Sequence, residues 1–167
     1  AIEICSLSKT AGFTGTRLGY TVIPYDLEHA GMRLNNMWVR NRTTKTNGVS
    51  YIIQKGATAV FTQQGQAEIQ ENIAYYRENA AILTKVLDDA GIWYTGGVHS
   101  PYIWMRCPDG MGSWDFFDRL LREIQVIGTP GAGFGACGEG FVRASYCYSV
   151  PHIKTALERI GEFLNEI

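Results

Sequence analysis

The sequence predicts an α/β fold in which short strands alternate with amphipathic helices. Three observations carry this reading. Short runs rich in β-branched and apolar residues, such as "AIEICSLS", "GYTVIP" and "GFVRASYCY", have the length and composition of strands. Between them lie longer segments whose apolar residues recur at helical spacing. Breaks between these segments fall at Asn47-Gly48, Gly91 and Pro151, where backbone preferences favour them.

In chain order, "AIEICSLS" and "GYTVIP" are expected to be buried strands. "LNNMWVRNRT" reads as a helix with Leu34, Met37, Trp38 and Val39 on one side, and "SYIIQKGATAVF" as a second helix after Asn47-Gly48. From Ala67 to Ala90 the spacing of Ile69, Ile73, Tyr76, Leu83 and Leu87 predicts one long amphipathic helix rather than a coiled coil, which needs more heptads. "IWYTG" and "YIWMRC" read as strands, and "SWDFFDRLLREI" as a helix capped by Ser113 with Asp115 in its first turn. After the strand "GFVRASYCY", a last helix follows Ser149 and Pro151 and lines up Ile153, Ala156, Leu157, Ile160 and Leu164. A domain boundary is expected near Gly65, dividing the chain into residues 1–65 and 66–167.

Composition narrows the function. The 167 residues are 46% hydrophobic, enough for a packed core. Fifteen basic and sixteen acidic residues leave a net charge of -1, which argues against a nucleic-acid partner. No apolar run is long enough to cross a bilayer, so no membrane partner is expected. Cys5, Cys107, Cys137 and Cys147 are widely spaced and follow no secretory h-region, which predicts reduced thiols in the cytoplasm. The chain begins at Ala1 inside a strand pattern, so further sequence is expected upstream.

The stretch "SLSKTAGFTGTRLGY" carries the chemistry. Burial beside another cation disfavours protonation, so Lys9 near Arg17 in an apolar, glycine-lined setting suits a neutral, nucleophilic amine. Ser6 and Arg17 offer a hydroxyl and a guanidinium fork that together suit a phosphate dianion. On the residues alone, a plainer alternative stands equally: Lys9 reaches solvent from a strand end and Arg17 caps a carbonyl.

Other motifs argue for nothing comparable. "GAGFGA", residues 131–136, satisfies the dinucleotide pattern G-x-G-x-x-A. It follows Thr129-Pro130 and leads into a strand, however, whereas the true fingerprint follows a strand and opens a helix. His29, His99 and His152 are isolated, and no metal site is expected. Trp38, Trp93, Trp104 and Trp114 are spread along the chain as core or interface anchors. Asp118 and Glu123 read as solvated helix residues.

The pattern Ser6-x-x-Lys9 with Gly15-x-Arg17-x-Gly19 resembles the cofactor-lysine segment of the fold-type I, pyridoxal-phosphate-dependent class I/II aminotransferases. The runs "SKTAGFTGTRLGYTVIP" and "LNNMWVRNRTTKTNGVSYIIQKGA" are similar in particular to the LL-diaminopimelate aminotransferases within that family. "GTPGAGFGACGEGFVRASY" resembles the family's closing segment. The resemblance implies that pyridoxal 5'-phosphate is the cofactor, tethered by Lys9, which also moves the proton from substrate Cα to the cofactor. It implies that Ser6 and Arg17 bind the cofactor phosphate, that Arg143 takes the substrate α-carboxylate, and that Asn47 contacts substrate near a homodimer interface.

It further implies a division into the end of the large cofactor domain, 1–65, and most of the small C-terminal α/β domain, 66–167. The favoured reaction is amino exchange between LL-2,6-diaminopimelate and 2-oxoglutarate in lysine biosynthesis. The family's aspartate to the pyridine nitrogen, its donors to the phenolate and its stacking aromatic map onto nothing in residues 1–167. The chain is therefore expected to be the C-terminal portion of such an enzyme and inactive alone. Two other readings stay open: a fold-type I decarboxylase, lyase or α-oxoamine synthase, and a non-catalytic domain that senses the cofactor within a transcription regulator.

Overall fold

In the computed structural model, which describes residues 1–165, the chain divides into two compact units, Ala1–Glu71 and Asn72–Ile167. The division falls inside one helix.

The first unit opens with β1 (Glu3–Ser6), which runs directly into a single helical turn, α1 (Leu7–Thr10). Strand β2 (Gly19–Val22) returns antiparallel to β1, pairing Cys5 with Tyr20 and Ser6 with Gly19. A two-residue ladder joins β3 (Glu28–His29) to β4 (Met32–Arg33), and helices α2 (Leu34–Lys45) and α3 (Tyr51–Ala57) follow. Leu7, Ile23, Ala57, Val60 and Ile69 are its buried apolar side chains.

The expected burial of the two opening strands is not found along β1 or β2. Ile2 and Ile4 are exposed, and α2 buries none of its residues, with Met37, Trp38 and Val39 all open to solvent. The physical reason is architectural: a two-stranded ladder with few neighbouring elements has too little surface to cover both its own faces and a helix.

Helix α4 (Gln63–Asp89) starts in the first unit and continues into the second. There an antiparallel sheet of four strands has the order β5-β6-β8-β7, formed by Tyr94–Gly96, Tyr102–Arg106, Phe141–Ser145 and Thr129–Pro130 respectively. Helices α5 (Ser113–Ile124) and α6 (Val150–Asn165) supply the other packing surfaces. Alternation along the central strands sends Ile103, Met105 and Val142 into a core with Leu87, Phe116 and Leu120. Ile153, Leu157, Ile160 and Phe163 close that core from α6. This is the period-two and period-3.6 pattern expected from sequence.

Two expectations about side chains change. Ser113 is not the cap of α5 but its first helical residue, with Gly112 at the cap position. Fully buried, its hydroxyl donates to the Gly138 carbonyl at 3.2 Å and accepts from the Phe141 amide at 3.2 Å. The orphan amide of Ser113 is satisfied instead by Glu139 Oε1 at 2.9 Å, a cap contributed from a distant loop. The tryptophans are not core residues either: Trp38, Trp93 and Trp114 are exposed and Trp104 is half-buried.

Candidate active site

The residues singled out in the first segment gather at one end of the β1–β2 hairpin. Ser6 ends β1 in extended conformation and its Oγ accepts from the Ser8 amide at 3.3 Å, turning the chain into α1. This local cap moves Lys9 off the strand and into the last turn of α1, with Leu7 buried beneath. The Leu7 amide donates to the Leu18 carbonyl at 3.1 Å, so the segment that carries Arg17 is tied back to the start of the helix. Arg17 adopts φ 59, a left-handed conformation uncommon for a residue with a side chain. Its Nη1 donates to the Thr14 carbonyl at 2.8 Å.

Lys9, Ser6 and Arg17 are all exposed. The desolvated setting expected for Lys9 is therefore not provided by this unit, and Arg17 caps a carbonyl as the plainer reading anticipated. That contact uses one of several guanidinium N–H donors, and the rest remain compatible with an anion. Gly19 is required where it stands, because a Cβ there would lie 2.8 Å from the Cys5 carbonyl oxygen. The same ladder brings Tyr20 opposite Cys5, and the Tyr20 hydroxyl donates to Glu3 at 3.1 Å. Hydrogen bonding to Cys5, and then to Glu3, pushes the Tyr20 hydroxyl up to about 12, so it stays protonated at neutral pH. Asn47 lies exposed in the connection between α2 and α3, just before Gly48, whose φ of 80 makes the turn.

In the second unit Arg143 sits on β8 between two strands, paired with Trp104 of β6 and Thr129 of β7. Its guanidinium lies 4.2 Å from the Tyr102 ring centroid and 4.8 Å from that of Phe134, and Nη2 approaches Thr129 Oγ1 at 3.5 Å. Sequence reading missed all three neighbours. Tyr102 and Thr129 are set beside Arg143 only by strand register. Phe134 stands in "GAGFGA", which forms short 3-10 turns and feeds β8 as expected; contrary to expectation it does follow a strand, the two-residue β7, but it opens no α-helix. Among the described residues, no group of three His, Cys, Asp or Glu side chains is placed to hold a metal ion, and no helix is long and apolar enough to cross a membrane.

The donor set of the hairpin fits a phosphorylated aldehyde: a primary amine on Lys9, a hydroxyl on Ser6, and a guanidinium on Arg17, all accessible.

Comparison with known proteins agrees with this chemistry. Residues 1–160 match the profile of aminotransferase class I and II. L,L-Diaminopimelate aminotransferase from Chlamydomonas reinhardtii is 44% identical and superimposes with a TM-score of 0.89, over 98% of this chain and 40% of that one. An aminotransferase from Mycobacterium tuberculosis is 29% identical with a TM-score of 0.83, over 100% of this chain and 42% of that one. An aromatic aminotransferase from Pyrococcus horikoshii OT3 is 28% identical with a TM-score of 0.81, over 99% of this chain and 43% of that one. The chain thus spans about 40% of the length of the solved structure first compared. Its mixed α/β architecture is part of the fold-type I transferase fold, and the chain belongs to the aminotransferase class I and II family.

Proposed function

We propose that this chain is part of a pyridoxal-phosphate-dependent transaminase that exchanges an amino group between LL-2,6-diaminopimelate and 2-oxoglutarate, serving lysine biosynthesis. The observation that carries the substrate is the likeness to the Chlamydomonas reinhardtii enzyme across nearly the whole chain. Four free cysteines, two of them exposed, support a cytoplasmic setting. The uncovered apolar residues Met37, Trp38 and Val39 on α2 support a homodimeric parent.

When bound, the cofactor supplies an aldehyde that takes up the amino group and a ring that accepts the electron pair released at Cα. This chain's residues contribute anchoring, orientation and proton transfer. Lys9 would hold the cofactor through its Nζ and, once freed by the substrate amine, would carry the proton from substrate Cα to the cofactor. Ser6 Oγ and Arg17 anchor the phosphate, fixing the reactive end of the cofactor relative to Lys9. Arg143 pairs with the α-carboxylate, which both the amino acid and the oxo acid carry, and so orients the Cα–H bond. Asn47 contacts the substrate at the dimer interface.

The test is an assay of the full-length parent with LL-diaminopimelate and 2-oxoglutarate, following glutamate, the 2-oxo product and carbon dioxide. Glutamate formed without carbon dioxide is the expected result, and Lys9→Ala is expected to lower kcat by about a thousandfold. Carbon dioxide release, or turnover confined to other amino acids, would overturn the substrate or the reaction type. The isolated 167-residue chain is expected to show no comparable turnover, and a rate near that of the parent would contradict this.

A further inference from the structure

We propose that Phe134 and Tyr102 are positioning residues whose rings pack against the Arg143 guanidinium and clamp it in one orientation, so that its N–H edge is offered to a carboxylate. The inference rests on the reading of Arg143 as the α-carboxylate partner and deepens it. A guanidinium is planar, and its ability to grip both oxygens of a carboxylate depends on the plane being held in one orientation.

Arg143 has one ring 4.2 Å away, Tyr102 on the neighbouring strand β6, and another 4.8 Å away, Phe134 on the loop before β8. The Thr129 hydroxyl, at 3.5 Å from Nη2, sets the rotation within that plane. Arg143 is half-buried, so part of its edge stays open. Each ring attracts the cation electrostatically and so restrains the guanidinium against reorientation. Trp104 extends the support: it pairs with Arg143 in register and meets Phe134 edge to face, with ring centroids 5.6 Å apart. Phe134 is itself 54% exposed and outside the core. Its ring therefore acts on Arg143 rather than on the packing of the core.

The two substrates of a transaminase share one α-carboxylate site, so loosening the clamp must affect both in parallel. In the full-length parent, Phe134→Leu is expected to raise KM for the amino acid and for the oxo acid by the same factor, about five- to tenfold, with kcat changed less. Phe134→Tyr, which keeps a ring face, restores both. A second readout needs no catalysis: in the 167-residue chain, NMR of the Arg143 side chain is expected to show slow rotation about Nε–Cζ that quickens in Phe134→Leu and slows again in Phe134→Tyr.

Unchanged KM values and unchanged rotation in Phe134→Leu overturn the clamp. So does a KM effect confined to one substrate. Arg143→Ala separates the two layers: if it abolishes binding of both substrates while Phe134→Leu is silent, only the clamp fails. If Arg143→Ala is itself silent, the reading of Arg143 fails and the clamp with it.

Discussion

Lys9 owes its position to a neighbour of modest character. The Ser6 hydroxyl accepts the Ser8 amide and so starts a helical turn at the end of β1, which is what lifts Lys9 off the strand. When the chain is incubated with pyridoxal phosphate and reduced with borohydride, peptide mapping is expected to find the added mass at Lys9 and to lose it in Lys9→Ala. Label spread evenly over the other lysines would count against a selective site in this unit. This residue was legible as a candidate through the resemblance of its segment to the family's cofactor-lysine segment, since the residues alone left a solvated lysine equally open. Its exposure was not, since burial depends on what packs above a residue and no local pattern encodes that. Cys107 shows the same limit from the other side. Nothing in "RCPDG" singles it out, yet it is 3% exposed, and burial, then the nearby Glu139 charge, pushes its thiol up from 9.0 to about 11. A raised folded value means that the unfolded chain loses its proton first. Stability from this group is therefore complete below pH 9.0 and declines as pH rises towards about 11. Denaturant titrations of wild type and Cys107→Ala across that range are expected to differ in slope, and parallel curves would remove the thiol from the account.

At the level of elements, the periodicities were enough to find every helix longer than seven residues, because helical and strand spacing arise from backbone geometry alone. What spacing cannot reveal is a cap or clamp supplied from far along the chain. Glu139 caps α5 from a loop beyond β7, whereas local sequence points to the serine at the start of the helix. Asn79 is the corresponding case on α4. It is fully buried, and its Nδ2 donates to the carbonyls of Tyr146 at 3.0 Å and Tyr148 at 2.8 Å, holding the segment that leaves β8. Asn79→Ala strands two carbonyls and is expected to cost about 2 kcal/mol, read as a lowered denaturation midpoint. A loss within a few tenths of a kcal/mol would mean that the segment relaxes to water at no cost.

For the whole molecule, burial is unevenly divided. The second unit holds a continuous apolar core drawn from α4, α5, α6 and the sheet, while the first buries a few scattered side chains. Local stability follows buried contacts, so hydrogen exchange is expected to be slowest at Leu87, Ile103 and Val142 and fast throughout β1, β2 and α2. Equal protection in the two units would show that the first is held by more than its own packing. Sequence reading anticipated two regions with a junction near Gly65, while the compact units divide after Glu71. An amphipathic helix carries its pattern through such a junction without interruption, so the pattern of α4 offers no mark at that point.

The rings around Arg143 bear on how this scaffold is engineered. An α-carboxylate is common to every amino acid and every 2-oxo acid, so a grip on it carries no information about the side chain. On the role proposed for Arg143, directed evolution towards a new substrate should leave Tyr102, Thr129, Phe134 and Arg143 out of the randomised positions, since diversity there is expected to remove turnover without redirecting it.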